Sequence, residues 1–194
     1  MTTMTNASAP TEEELIAQSR SRRNALFAGT AIVAAAAGAG WSWMRQRPSR
    51  PEKWVDEGLW DLRFARVDGT ELEMSTLRGK RLLLNFWATW CAPCVQEMPQ
   101  LDRFHTDFAP KNWHVVGLAI DSPQPVRDFL ARIPVSFTIG LAGLDGTQLS
   151  RTLGNDKGAL PFSVMLDEQG KVRHTQLGAT TYDELARWAR EIGA

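Results

Sequence analysis

Cysteine is nearly missing from this chain: there are two among 194 residues. Two thiols cannot form a multi-bridge disulfide scaffold, and they supply only half of a four-cysteine zinc site. Histidine is scarce as well, and His105, His114 and His174 do not recur at the spacing of a metal-binding pair. Net charge is absent, since 22 Lys+Arg balance 22 Asp+Glu. There is thus no general electrostatic reason to expect a nucleic-acid partner. No flavin, nicotinamide or metal motif can be found, so no cofactor is expected. The globular part holds no internal repeat or low-complexity tract. The charged fraction of 23% and aromatic fraction of 9% are ordinary, which argues against a disordered or collagen-like chain. The length suits one domain plus an extension.

The zero balance hides an asymmetry. Residues 1–50 hold six basic and three acidic residues, leaving 16 basic and 19 acidic in residues 51–194. Residues 1–23 are polar, without an apolar face, and read as a disordered N-terminus. Residues 25–44 then run twenty residues without a charge. At about 1.5 Å per helical residue, that stretch could span a hydrocarbon core of about 30 Å. Eleven of the twenty are Ala or Gly, so the drive to insert is weak; Leu26, Phe27, Ile32 and Val33 carry most of it, and Trp41 and Trp43 sit where interfacial aromatics belong. Residues 24–44 read as a retained membrane anchor or as a cleaved signal peptide. Ala37-Gly38-Ala39 offers a small-x-small cleavage pattern behind Arg22-Arg23. Residues 21–26 also resemble a twin-arginine export signal, although Ala25 is a weak match. An Ala-rich soluble helix is the plainer alternative. Residues 45–56, rich in Pro and Arg, form a linker.

Residues 57–194 pattern as one α/β domain. Residues 59–67 alternate imperfectly up to Asp68-Gly69, a hairpin turn signal, and residues 71–74 form a short return strand. Residues 81–87 (RLLLNFW) are a nearly continuous apolar run, suited to a strand buried on both faces. Residues 95–108 read as a helix with Met98, Leu101, Phe104 and Phe108 on one face. A second buried strand follows at 113–120. Residues 125–133 form a short helix with Val126, Phe129, Leu130 and Ile133 inward, then an extended segment at 135–141 and a short helix at 147–153. Residues 163–166 and 171–177 flank Asp167-Glu168-Gln169-Gly170 as a hairpin. An amphipathic helix at 181–192, capped by Thr181 or Asp183, closes the chain. The order predicts a mixed sheet with helices on both faces and an N-terminal β-hairpin.

Trp90-Cys91-Ala92-Pro93-Cys94 falls just after the strand at 81–87 and opens the following helix. A C-x-x-C pair at a strand-to-helix junction reads as a thioredoxin-like redox centre. The free N–H groups and dipole of a helix N-terminus favour an anion at Cys91, and Pro93 fits a first turn that needs no N–H. A thiol of pKa about 8.5 is only about 3% thiolate at pH 7. A pKa near 7, usual for such motifs, raises that to about 50%. Lower intrinsic nucleophilicity offsets part of the gain. Other uses of the pair are a structural metal site, a purely structural disulfide, or binding of Cu(I) by two soft thiolates.

The segment Asn85-Phe86-Trp87-Ala88-Thr89-Trp90-Cys91-Ala92-Pro93-Cys94-Val95-Gln96-Glu97-Met98-Pro99 resembles the active-site segment of the TlpA/ResA-like thiol-disulfide oxidoreductases. These are exported or membrane-tethered bacterial proteins of thioredoxin fold. Leu160 through Gly170 (LPFSVMLDEQG) is similar to that family's cis-proline loop, strand and turn. The resemblance implies Cys91 as attacking thiolate, Cys94 as resolving thiol and Pro161 as a cis-proline facing the disulfide. Glu97 matches the acidic residue three after the second cysteine. Some relatives carry Glu between the cysteines, where this chain has Ala92, so no proton handling is expected there. The resemblance further implies a client protein with a disulfide, of the cytochrome c maturation or copper-site assembly type, and a membrane electron-donor protein. The expected location is periplasmic, with anchoring through residues 25–44. The alternative class is a Cu(I)-handling module using the same two thiolates.

Asn85 stands where soluble thioredoxins have a buried titratable Asp, six residues before the first cysteine. Glu97 lies three residues beyond Cys94 on the same helix, hence on one face with it. Glu97 is expected to take the Cys94 proton; the plainer role is a favourable charge in the N-terminal half of the helix. Trp87 and Trp90 are assigned to packing or covering the site, and His105 to the helix surface.

Overall fold

The computed structural model describes residues 55 and 57–193. The N-terminus at 1–23, the anchor or signal segment at 24–44 and most of the linker lie outside the described residues. Val55 already belongs to the folded domain: it is buried, and its N–H donates to the Gly170 carbonyl at 3.1 Å. Among the described residues no helix is long and apolar enough to cross a membrane.

Seven strands form one sheet in the order β2-β1-β5-β4-β3-β6-β7. They are β1 (Arg63–Ala65), β2 (Glu71–Glu73), β3 (Arg81–Trp87), β4 (Trp113–Ala119), β5 (Thr138–Leu141), β6 (Phe162–Leu166) and β7 (Val172–Leu177). Among the described residues the α-helices are α1 (Ala92–Phe108), α2 (Pro123–Arg132), α3 (Asp145–Thr152) and α4 (Tyr182–Ile192). Strands β3, β4 and β5 are mutually parallel, while β6 runs antiparallel to β3 and β1 antiparallel to β5.

The RLLLNFW run is β3, at the centre of the apolar part of the sheet. Its side chains alternate between two cores, as the two-residue period of a strand requires. Leu83 and Trp87 join Met98, Leu101, Phe104, Val126, Phe129 and Leu185 from α1, α2 and α4. Leu82, Leu84 and Phe86 face the other way, against Leu59, Trp60, Leu72, Met74 and Leu153, with Leu149 of α3 packed alongside. Both faces are therefore covered, as expected for parallel strands.

Several boundaries moved from the expected ones. Only Arg63–Ala65 of the first stretch is strand; Glu57–Leu59 winds into a 3-10 turn that buries Leu59. The expected N-terminal hairpin is present, with Phe64 opposite Leu72, and Gly69 supplies the positive φ of 83° in its turn. Helix α2 begins at Pro123 and ends at Arg132. Ile133 caps it in a non-helical conformation and is 38% exposed, so it does not belong to the buried face. In α4, Thr181 is the cap: its hydroxyl accepts from the Glu184 N–H at 3.4 Å, and the Glu184 carboxylate accepts from the Thr181 N–H at 3.0 Å.

Candidate active site

Parallel pairing brings the carboxyl ends of β3 and β4 to one edge, with Trp87 opposite Ala119. Strand β6 is antiparallel to β3, with Phe86 opposite Phe162, so β6 begins where β3 ends. The residues just past Trp87, just past Ala119 and just before Phe162 therefore meet at that edge. These are the Cys91 loop, Asp121 and Pro161.

Helix α1 starts at Ala92, three residues earlier than expected, so the cysteine pair lies within its cap and first turn. Cys91 is the N-cap, with extended φ −92° and ψ 100°, and its sulfur accepts the Cys94 N–H at 3.3 Å. The shift follows from Pro93, whose fixed φ and missing N–H cost nothing in a first turn. Cys91 thus sits at a helix N-terminus as expected, and one orphan N–H of that terminus points at its sulfur. Cys91 and Cys94 are joined as a disulfide, with Cα atoms 5.3 Å apart. Cys94 is fully buried, whereas Cys91 retains 6% exposure. An incoming thiol or disulfide thus meets Cys91 first.

The turn before Cys91 is tied down by Asp121. One carboxylate oxygen accepts from the Thr89 N–H at 3.0 Å and from its hydroxyl at 2.6 Å, while the other accepts from the Ser122 N–H at 2.7 Å. This turn holds Trp90 outward, 70% exposed, on a cleft of about 460 Å³. Ile120, Leu144 and Leu160 provide the cleft's other apolar walls. Trp87, in contrast, is fully buried in the α1 core, 5.1 Å from the Phe129 ring. The two tryptophans thus divide between packing and the site rim.

Pro161 is buried and follows a cis peptide bond from Leu160. Its carbonyl accepts the Gly178 N–H at 2.9 Å, fixing the start of β6.

Glu97 is 2% exposed on the inner face of α1. One carboxylate oxygen accepts from the Asn85 side-chain amide at 2.6 Å. The other accepts from the Thr180 N–H at 2.8 Å and its hydroxyl at 3.3 Å. Burial pushes the Glu97 carboxyl above its ordinary range, against the opposing pull of these three donors. Asn85 also donates to the Ser163 hydroxyl at 3.0 Å, while its own amide oxygen is buried without a partner. A neutral Glu97 would have a proton to offer that oxygen after a half-turn of the amide. Glu97 is thereby a buried acid, not a surface charge at a helix end.

His105 is half-buried, edge-on to Phe137, with Nδ1 enclosed and unpaired, and burial lowers its pKa. It is thus less open than the helix-surface position expected for it, because Phe137 covers one side of the ring. Among the described residues no group of three metal-ligating side chains converges. Asp121 and Thr180 carry no sequence signal of their part in the site. Both act through loops that only the sheet topology brings to the site, and no local spacing announces them.

Comparison with known proteins sharpens this picture. The redoxin family model matches residues 56–188, most of the chain. The chain belongs to the redoxin family. Thioredoxin-like protein YneN of Bacillus subtilis is 30% identical over 165 residues, covering 82% of this chain and 93% of that protein. Thiol-disulfide oxidoreductase ResA of Bacillus cereus is 30% identical over 127 residues, covering 65% of this chain and 71% of ResA. Among solved structures, a putative thiol:disulfide interchange protein DsbE from Chlorobium tepidum aligns with a TM-score of 0.63 at 26% identity. That alignment covers 74% of this chain and 99% of the other. This redoxin is a TlpA/ResA-like member of the thioredoxin superfamily and a thiol-disulfide oxidoreductase, with its cysteine pair at the helix N-terminus.

Proposed function

We propose that this redoxin is exported and reduces disulfides in client proteins through the Cys91–Cys94 dithiol. The observation that carries the reading is the unequal burial of the pair at the α1 cap: Cys91 keeps some exposure, and Cys94 is enclosed. In the proposed cycle the Cys91 thiolate attacks one client sulfur. The client S–S bond breaks, a Cys91–client mixed disulfide forms, and the released client thiolate takes up a proton. Cys94 then gives its proton to Glu97 and attacks the Cys91 sulfur, releasing the second client thiol. The client gains two electrons and two protons, and the chain is left oxidised. A membrane dithiol protein returns the electrons.

The direction of the reaction follows from what surrounds the pair. No Lys, Arg or His occurs between Trp87 and Glu97. Within that stretch the helix terminus favours a thiolate, and no side-chain cation adds to it. A weakly stabilised thiolate makes the dithiol form a better electron donor. Clients of the cytochrome c maturation or copper-site assembly type fit the resemblance to the TlpA/ResA group. The uncharged stretch at residues 25–44, behind Arg22-Arg23, supports export with anchoring at the inner membrane, facing the periplasm.

Replacing the resolving thiol tests the cycle. In Cys94→Ser the mixed disulfide on Cys91 cannot resolve, so cells expressing it should accumulate a reductant-sensitive adduct with a specific client. Adducts that form equally well in Cys91→Ser would contradict the assigned order of attack.

A further inference from the structure

Helix α1 grips the start of α4 with a stripe of polar side chains, of which the redox cycle uses only one. Glu97, Gln100, Arg103 and Asp107 follow one another at intervals of three, three and four residues, so they lie along one side of α1. Each meets the segment that enters α4. Glu97 accepts from the Thr180 N–H at 2.8 Å. Gln100 is half-buried, and its amide oxygen accepts from the Tyr182 N–H at 3.2 Å. The Arg103 guanidinium lies 3.9 Å from the centre of the Tyr182 ring, and Asp107 accepts from the Tyr182 hydroxyl at 2.8 Å.

The two inner contacts act on one short piece of backbone. Glu97 and Gln100 are about one helical turn apart, and they hold N–H groups two residues apart. Thr181, between them, turns its own N–H to Glu184. On its other side the loop is fixed where the Gly178 N–H donates to the Pro161 carbonyl at 2.9 Å. Thr180 is therefore held against Glu97 by an anchor at Pro161 and an anchor at Gln100. The groups that meet the Glu97 carboxylate are uncharged: Asn85 from β3 and Thr180 from this loop, with Cys94 one turn earlier on α1. Among the described residues no side-chain charge acts on it, so these donors alone oppose the burial that disfavours its charged form.

We infer that Gln100 is a positioning residue for proton transfer at Glu97: by holding the Tyr182 N–H it keeps Thr180 donating to the Glu97 carboxylate. The inference rests on the reading of Glu97 as the acceptor of the Cys94 proton. Without the Gln100 anchor Thr180 can move off, the carboxylate loses donors, and Glu97 becomes a weaker acid that holds its proton to higher pH.

Carbon-13 NMR of the Glu97 carboxyl in the oxidised protein, titrated from pH 4 to 9, tests the positioning. Gln100→Ala should raise the Glu97 midpoint by about one pH unit, a roughly tenfold weaker acid, on the scale of one lost hydrogen bond to a charged group. Asp107→Ala loosens the same pair of helices by removing the acceptor of the Tyr182 hydroxyl, but leaves the Gln100 anchor, so its midpoint should stay near wild type. Should Gln100→Ala fail to fold, Gln100→Met keeps the length of the side chain without its amide and should give the same rise. A midpoint that Gln100→Ala does not move, or that Asp107→Ala moves equally, overturns the inference. The pH profile of insulin reduction from pH 6 to 9 should move upward with the midpoint in Gln100→Ala. A profile that stays in place while the Glu97 midpoint moves would remove the reading of Glu97 as proton acceptor, and the inference with it.

Discussion

Glu97 concentrates the chemistry of this site at the residue scale. Its carboxyl is raised by burial from an ordinary value of 4.5, so just above that pH the folded protein keeps more of this proton than the unfolded chain does. The sign follows: between 4.5 and the raised folded value, the folded state binds more protons than the unfolded state. Stability must therefore fall as pH rises through that window and level off above it. Glu97→Gln cannot titrate, so urea midpoints measured from pH 4 to 8 should lose this slope. The same variant should slow client reduction and shift its profile between pH 6 and 9, since Cys94 loses its proton acceptor. Superimposable activity profiles would leave Glu97 a structural role only. Asn85 makes this acid possible. Where a soluble thioredoxin has a titratable Asp, this chain has an amide, and it donates to Glu97 at 2.6 Å.

Elements, more than single residues, separate what was legible in the sequence from what was not. Strand β3 and helix α1 could be read directly, because an apolar run buried on both faces and a three- and four-residue apolar repeat leave few alternatives. The start of α1 was read three residues late, because Ala92 and Pro93 carry no apolar signal, and the cap is made by a cysteine sulfur in place of the usual Ser, Thr, Asp or Asn. Cys91, Cys94 and the cis bond before Pro161 were legible through one local motif and one resemblance. Thr180 and Asp121 were not, since each acts on a partner that is remote in sequence. Helix α4 gives a clean test of element-level reasoning. Thr181→Ala removes the cap hydroxyl and half of the capping box, and should cost about 1 kcal/mol. For a domain of this size that lowers the thermal midpoint by about 2–4 °C in calorimetry. An unchanged midpoint would mean that packing of Leu185 and Ala189 alone holds the helix.

Taken as a whole, the molecule is a sheet with two cores whose carboxyl edge gathers the Cys91 turn, Asp121 and Pro161. Behind that edge, the buried Glu97 ties α1 to the loop before α4 through Thr180. The site is thus held by three separate connections on the sheet, an arrangement that leaves Cys91 a little exposure while Cys94 stays enclosed. The proposed export is a property of the whole chain too. Alkaline phosphatase fused at the C-terminus should be active in cells if the domain faces the periplasm. A fusion that is inactive as phosphatase, yet fluorescent with a reporter that matures only in the cytoplasm, would contradict that placement. The central claim, that Cys91 and Cys94 together reduce polypeptide disulfides, is tested most directly by insulin reduction with a dithiol as electron source. Wild type should accelerate the reaction catalytically, and Cys91→Ser should abolish the acceleration. Equal rates with wild type, Cys91→Ser and no protein would contradict the account.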